Sequence, residues 1–222
     1  MARVPSYSPE AVAEFTVGMI LTVIRKYHKA YNRVREGNFL LDGLMGFNLH
    51  GKTIGIIGTG QIGLLTGKIL SKGFGCTVIA YDPYPSNAAE EHGIVYVDAL
   101  GELLARSDII SLHCPLNKDT DYMINDKTLS LTKKGVVLIN TSRGGLIDTH
   151  ALIRYVKTFS GRLYAYISDL NNTSALKSGH ISAVGLDVFE RESSYFFADS
   201  SAKVIADDSF ARLLTFYNVF MT

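Results

Sequence analysis

The chain is short of cysteine, of charge in either direction and of long apolar runs, and each shortage closes off a class of protein. Two cysteines, Cys76 and Cys114, cannot build a disulfide framework or a four-ligand zinc site. With 22 basic against 21 acidic residues the net charge is +1, so there is no basic footprint and nucleic acid is not an expected partner. No apolar run reaches the roughly 18 residues of a membrane helix. The best candidate, Val17–Ile24, is interrupted by Gly18 and Thr22 and followed by Arg25 and Lys26. Arg3 is not followed by an apolar core and a small-residue cleavage site, so no signal peptide is expected. No repeat or low-complexity tract interrupts the chain. The expectation is a reduced, soluble, cytoplasmic protein without membrane partners. What is present is a 222-residue chain, 47% hydrophobic, far too apolar for disorder and long enough for one large domain or one domain with a fragment of another.

The first element reads as one long helix over 8–36. Ser8 is placed to cap it, Pro9 suits the first helical position and Glu10 the positive end of the dipole. Val12, Phe15, Met19, Val23, Tyr27, Ala30 or Tyr31, and Val34 then recur at helical spacing until Gly37. So long a helix is expected to cross a domain boundary or to pack on a partner. From Gly51 short Ile/Val-rich strands alternate with helices. Strands are expected at Thr53–Ile57, Thr77–Tyr81, Val95–Val97, Asp108–Leu112, Gly135–Asn140, Ile181–Leu186 and Asn218–Met221. Helices are expected at Gln61–Gly73, Ser86–His92, Leu100–Arg106, Asp126–Leu131, Asp148–Lys157 and Asp207–Thr215. That alternation implies an α/β fold with a parallel sheet covered on both faces. Residues 158–177, polar and rich in Ser and Asn, exceed the usual connection of about 2–6 residues and read as an insertion. A surface loop is the leading reading of it; a lid and a sequence artefact are the alternatives.

Gly58-Thr59-Gly60-Gln61-Ile62-Gly63 follows a clean strand and opens a helix, the context in which a G-x-G-x-x-G signals dinucleotide binding. Gly58 permits the tight turn, Gly60 lets backbone approach a pyrophosphate, and Gly63 lets helix and strand close together. The free N–H groups of the helix start then face the phosphates. Asp82 ends the next strand about 20 residues on, where an acid can bond the ribose hydroxyls and repel a 2′-phosphate. The cofactor implied is NAD rather than NADP, held on a Rossmann-type doubly wound sheet.

With these residues in view, VPSYSPEAVAE, GKTIGIIGTGQIG, YDPYP, SLHCPL, LINTSRGGLID and GLDVFERE, in that order, resemble the NAD-dependent D-isomer-specific 2-hydroxyacid dehydrogenases, with YDPYP and FERE leaning toward their D-lactate dehydrogenase branch. The resemblance runs from Val4 to the last residue apart from the insertion, and makes 4–222 the NAD-binding domain. It implies a two-lobed enzyme in which hydride passes between nicotinamide and the C2 of a small 2-hydroxy or 2-oxo acid. It further implies that the long N-terminal helix is the interlobe arm and a homodimer contact. Arg143 matches the arginine that holds the substrate carboxylate, consistent with a guanidinium's two-pronged grip. Glu192 matches the glutamate that raises the catalytic histidine's pKa, with Glu190 its close competitor. Asp187 matches the residue at the nicotinamide amide. His113, Cys114 and Pro115, with Thr141 and Ser142, fall on the cofactor face. A Cys–His nucleophile pair at 113–114 is the sharper alternative, set aside because adjacent strand residues point to opposite faces. No histidine has metal-ligand spacing with a neighbour, so no metal is expected.

The same resemblance places the catalytic histidine shortly after the strand ending at Met221, and none of the six histidines matches it. Most of the substrate lobe is also missing from the match. A chain without that proton carrier is expected to be inactive alone, since general acid–base catalysis supplies about 10²–10⁴-fold in rate. A non-catalytic NAD-binding or dimerising module, and an incomplete gene-model fragment, remain as alternative readings.

Overall fold

In the computed structural model residues 8–156, 180–190 and 207–222 are described. The elements in chain order are α1 (Pro9–Arg25), α2 (Tyr27–Arg35), β1 (Thr53–Ile57), α3 (Gln61–Lys68), β2 (Thr77–Tyr81), β3 (Ile94–Tyr96), α4 (Leu100–Arg106), β4 (Ile109–Leu112), α5 (Asp126–Ser130), β5 (Val136–Asn140), α6 (Thr149–Tyr155), β6 (Ile181–Leu186), α7 (Asp208–Thr215) and β7 (Val219–Met221). The strands form one parallel seven-stranded sheet in the order β3-β2-β1-β4-β5-β6-β7. The order reverses between β1 and β4, where open α/β sheets bind ligands beyond the strands' carboxyl ends.

Both faces of the sheet are buried, which explains the near-continuous apolar runs. All residues of β4 and β5 are buried. Alternate side chains serve two cores. Val136 and Leu138 face Leu103, Leu104, Leu129, Leu152 and Leu213, while Val137 and Ile139 face Met19, Ile20, Val23 and Leu70. Each such aliphatic side chain contributes about 1.5–3 kcal/mol by leaving water. Helix α1 lies close on the sheet because β6 carries Gly185, where a Cβ would sit 2.7 Å from Met19.

Several expected elements differ in detail. The single helix over 8–36 is two, broken at Lys26, which adopts φ 57° and ψ 38°. Its N–H bonds to Thr22 O, closing α1, while its ammonium bonds to the carbonyl of Gly43. Beneath α1 lies the sheet core; α2 buries no residue fully. Ser8 does not cap through its side chain; its carbonyl accepts from the Ala11 amide. The helix from Gln61 changes from α to π winding over Ile69–Gly73. The expected Ser86–His92 helix is only a 3₁₀ turn, Asn87–Ala89. The third strand begins one residue earlier than expected, at Ile94. The insertion at 158–177 lies outside the described residues.

Candidate functional site

The turns after β1, β4, β5 and β6 meet at one edge of the sheet. Gly58 turns out of β1 with φ +95°, and a Cβ there would stand 2.6 Å from the Cys114 nitrogen and 2.7 Å from the His113 carbonyl carbon. The turn after β1 thus lies backbone on backbone against the segment after β4. At Gly63 a Cβ would lie 2.1 Å from the Gly58 oxygen, so α3 can start there only without a side chain. Gly60 is different. Its φ of −66° suits any residue, it is exposed, and nothing lies within 4 Å of where a Cβ would be. Two of these glycines are demanded by the chain itself; the third leaves space that the chain does not fill. No side chain caps α3, so its first N–H groups are left to an acceptor from outside. This donor set and this space fit the diphosphate of a dinucleotide.

Asp82 follows β2. Its Oδ2 accepts the Thr59 amide at 2.6 Å and the Thr59 hydroxyl at 2.9 Å, and its Oδ1 accepts the Tyr84 amide at 2.9 Å. The acid is therefore tied to the glycine turn itself. His113, Cys114 and Pro115 leave β4. The His113 Nε2 lies 2.9 Å from the Ser111 hydroxyl, and burial pushes the imidazole pKa down to about 4. The Cys114 thiol points instead to Met123 Sδ at 3.5 Å. Burial, with the Asp82 charge adding to it, raises that thiol to about 11. A buried protonated thiol turned away from its neighbouring histidine is not a nucleophile pair.

Thr141, Ser142 and Arg143 form the turn after β5, built around buried Asn140. Asn140 Oδ1 accepts the Ser142 amide at 3.0 Å and Nδ2 donates to the Arg143 carbonyl at 2.9 Å. Ser142 donates to the Cys114 carbonyl at 3.2 Å, and Thr141 shares a 2.8 Å hydrogen bond with Thr16 on α1. The Arg143 guanidinium is exposed; it donates to the Ser142 carbonyl and makes no ion pair among the described residues. A Cβ on Gly144 would lie 2.1 Å from the Phe189 carbonyl carbon, so this turn touches the one after β6. There Asp187 donates its amide to Asn140 O and accepts from the Thr222 hydroxyl at 2.9 Å. Glu190 accepts a hydrogen bond from Tyr122, which holds φ 47° and whose phenol this carboxylate raises to about 12. Glu192 lies outside the described residues. Among those residues no group of three His, Cys, Asp or Glu is placed to hold a metal.

The sequence reading overlooks Thr59, Asn140 and Thr16. Each makes its contact to a neighbour that only the fold brings near or to the turn just beyond it. Asn140 carries a weak local signal, an amide side chain ending a strand of Val, Leu and Ile.

Residues 17–174 match the family described as D-isomer specific 2-hydroxyacid dehydrogenase, NAD binding domain. D-lactate dehydrogenase kk1H of Curvularia clavata is 51% identical over 219 residues, which are 99% of this chain and 56% of that protein. The solved pyruvate reductase of Chlamydomonas reinhardtii superposes with a TM-score of 0.85 at 44% identity, over 100% of this chain and 61% of that one. The D-lactate dehydrogenase from Aquifex aeolicus, complexed with NAD and lactic acid, gives a TM-score of 0.79 at 38% identity, over 99% of this chain and 60% of that one. The chain thus spans 56% to 61% of the length of these relatives.

Proposed function

This chain belongs to the D-isomer-specific 2-hydroxyacid dehydrogenases, by way of their NAD-binding domain, and from that premise we propose that it is the cofactor lobe of an enzyme of the D-lactate/pyruvate type. The observation that carries the reading is the contrast among the glycines, with Gly58 and Gly63 closed by the chain and Gly60 open beside an uncapped helix start. NAD, when bound, supplies the hydride acceptor. The residues of this chain bind and orient. The amides of Gln61, Ile62 and Gly63 hold the diphosphate, and Asp82 accepts from the adenosine ribose. His113, Cys114, Pro115, Thr141 and Ser142 line the cofactor face, and Asp187 meets the nicotinamide amide. Arg143 grips the substrate carboxylate, its guanidinium being exposed and in no ion pair among the described residues. Glu192 is assigned the family's glutamate role.

The experiment is a fluorescence titration with NADH and NADPH. NADH is expected to bind at least about tenfold more tightly, because a carboxylate at position 82 repels a 2′-phosphate. Equal affinities would remove the reading of Asp82. None of the six histidines matches the family's proton-passing residue, so these samples are expected to bind NADH without oxidising D-lactate, which NADH absorbance checks.

The reading includes a homodimer through the N-terminal helices, in a reducing cytoplasm that suits two buried free thiols. Its support is an apolar strip on and after α2: Tyr27, Tyr31 and Val34 are more than half exposed, and Phe39, Leu41 and Met45 are 75%, 82% and 88% exposed. So much apolar surface on a single chain marks an interaction site. Sedimentation is expected to give twice the chain mass, and Leu41→Glu with Met45→Glu to halve it; a wild-type monomer at micromolar concentration would discard the assignment.

A further inference from the structure

We propose that Tyr96 is a positioning residue that sets the affinity for NADH over NADPH by holding Asp82 through Thr59. The proposal rests on the reading of Asp82 as the ribose acid and adds to it a residue on another strand. Tyr96 ends β3, the edge strand, and its side chain reaches back over β2 to the glycine turn. Its hydroxyl lies 2.8 Å from the Ser86 amide and 2.7 Å from Thr59 Oγ1. Thr59 is buried and its hydroxyl lies 2.9 Å from Asp82 Oδ2.

The direction of every hydrogen in this chain of bonds is determined. The Ser86 amide can only donate, so the phenol oxygen accepts there. An ionised carboxylate can only accept, so the Thr59 hydrogen points at Asp82. Thr59 then has only lone pairs left for Tyr96, and the phenol hydrogen must point at Thr59. The sequence of donors runs from Ser86 through Tyr96 and Thr59 to the carboxylate, each bond polarising the next.

Two consequences follow for recognition. The carboxylate is oriented before any cofactor arrives, which removes an ordering cost from binding. A carboxylate offers about four acceptor directions. Thr59 takes two on Oδ2 and the Tyr84 amide takes one on Oδ1, which leaves the open direction on Oδ1. A ribose hydroxyl can donate into that direction; a 2′-phosphate cannot. Loss of the Tyr96 hydroxyl removes the donor that fixes and polarises the Thr59 hydroxyl, so the weakest-held of the acid's three hydrogen bonds loosens while the Thr59 and Tyr84 amides and the ring of residue 96 stay in place.

The test titrates wild type, Tyr96→Phe, Asp82→Ala and the double variant with NADH and NADPH, following the cofactor's own fluorescence in a protein without tryptophan. Tyr96→Phe is expected to weaken NADH about three- to tenfold and to leave NADPH within about twofold. In the Asp82→Ala background the same change is expected to have no further effect on NADH. Thr59→Ser, which keeps the hydroxyl, is expected to retain the wild-type ratio, and Thr59→Val to lose it. Equal weakening of both cofactors by Tyr96→Phe, or a penalty that persists without Asp82, would overturn the proposal as a merely structural effect. Should Asp82→Ala leave the NADH to NADPH ratio unchanged, the reading of Asp82 and this proposal fall together. Should Asp82→Ala collapse the ratio while Tyr96→Phe does not, only the role of Tyr96 falls.

Discussion

Gly60→Ala is expected to abolish NADH binding without cost to the fold, whereas Gly63→Ala, three residues on, is expected to damage both. The two glycines sit in one turn but answer to different neighbours. At residue 60 the backbone has φ −66° and no atom within 4 Å of a new methyl, so alanine fits the free protein. The loss of a glycine at a helix N-cap and the smaller entropy of the unfolded chain oppose each other, and the net change in stability stays within about 1 kcal/mol. If the crevice beside α3 takes the diphosphate, as proposed, the new methyl stands where the phosphate must come close to the backbone. An N–H···O bond to a phosphate needs about 2.9 Å between heavy atoms, and a methyl in that gap holds the phosphate off. The expected loss is at least about 100-fold in affinity, or about 2.7 kcal/mol. At residue 63 the methyl would meet a backbone oxygen at 2.1 Å. That carbonyl belongs to Gly58, whose own backbone is pressed on His113 and Cys114, so the strain spreads into two turns. Overpacking of this kind costs about 3 kcal/mol and lowers the melting midpoint by roughly 5–10 °C. Calorimetry and NADH titration on both variants check the pair. Wild-type NADH affinity in Gly60→Ala would show that the crevice beside α3 does not take the diphosphate.

The same contrast shows what local spacing can carry. The glycine turn and Asp82 are legible because strand, turn, helix and next strand follow in one stretch of chain, and each residue's duty is set by its immediate neighbours. The strands are legible because burial on both faces demands apolar side chains at nearly every position, as in residues 136–139. The break at Lys26 is not. The apolar stripe continues through it, from Val23 to Tyr27, Tyr31 and Val34, because a stripe records which side chains are apolar and not what lies beneath them. Under α1 there is sheet; under α2 there is no buried residue to keep the axis straight, and Gly43 holds the Lys26 ammonium from outside the helix. The Ser86–His92 segment likewise has little beneath it, with Ala89 the one buried residue of the 3₁₀ turn Asn87–Ala89. Thr16 with Thr141 and Tyr96 with Thr59 join segments far apart in the chain, and no spacing rule announces them.

Acid is expected to unfold this protein through His113, in a pH window that a single substitution removes. The residue keeps a little surface, but its Nε2 is turned to the Ser111 hydroxyl and burial lowers the imidazole pKa from 6.5 to about 4. The unfolded chain binds a proton near pH 6.5 that the folded chain refuses until about pH 4. The stabilisation is therefore complete above pH 6.5, is lost progressively as pH falls toward 4, and changes no further below that. A difference of 6.5 against about 4 corresponds to up to about 3 kcal/mol, a large part of the roughly 5–15 kcal/mol that holds a typical domain. His28, also lowered by burial, adds a smaller loss of the same sign in the same window. Asp108, whose pKa is lowered because the Thr53 amide and Lys133 outweigh the opposing effect of burial, keeps its full stabilisation across this window and loses it only as pH falls below the ordinary carboxylate value of 3.8. His113→Gln keeps an amide within reach of Ser111 and cannot titrate. Urea unfolding from pH 7 to pH 4.5 is expected to show the wild type losing stability over this range and the variant following a much flatter curve, with the residual slope left to His28 and, near pH 7, to Lys29, whose pKa burial lowers from 10.5 to about 7. Parallel curves for the two proteins would mean that the His113 ring is not sealed from water.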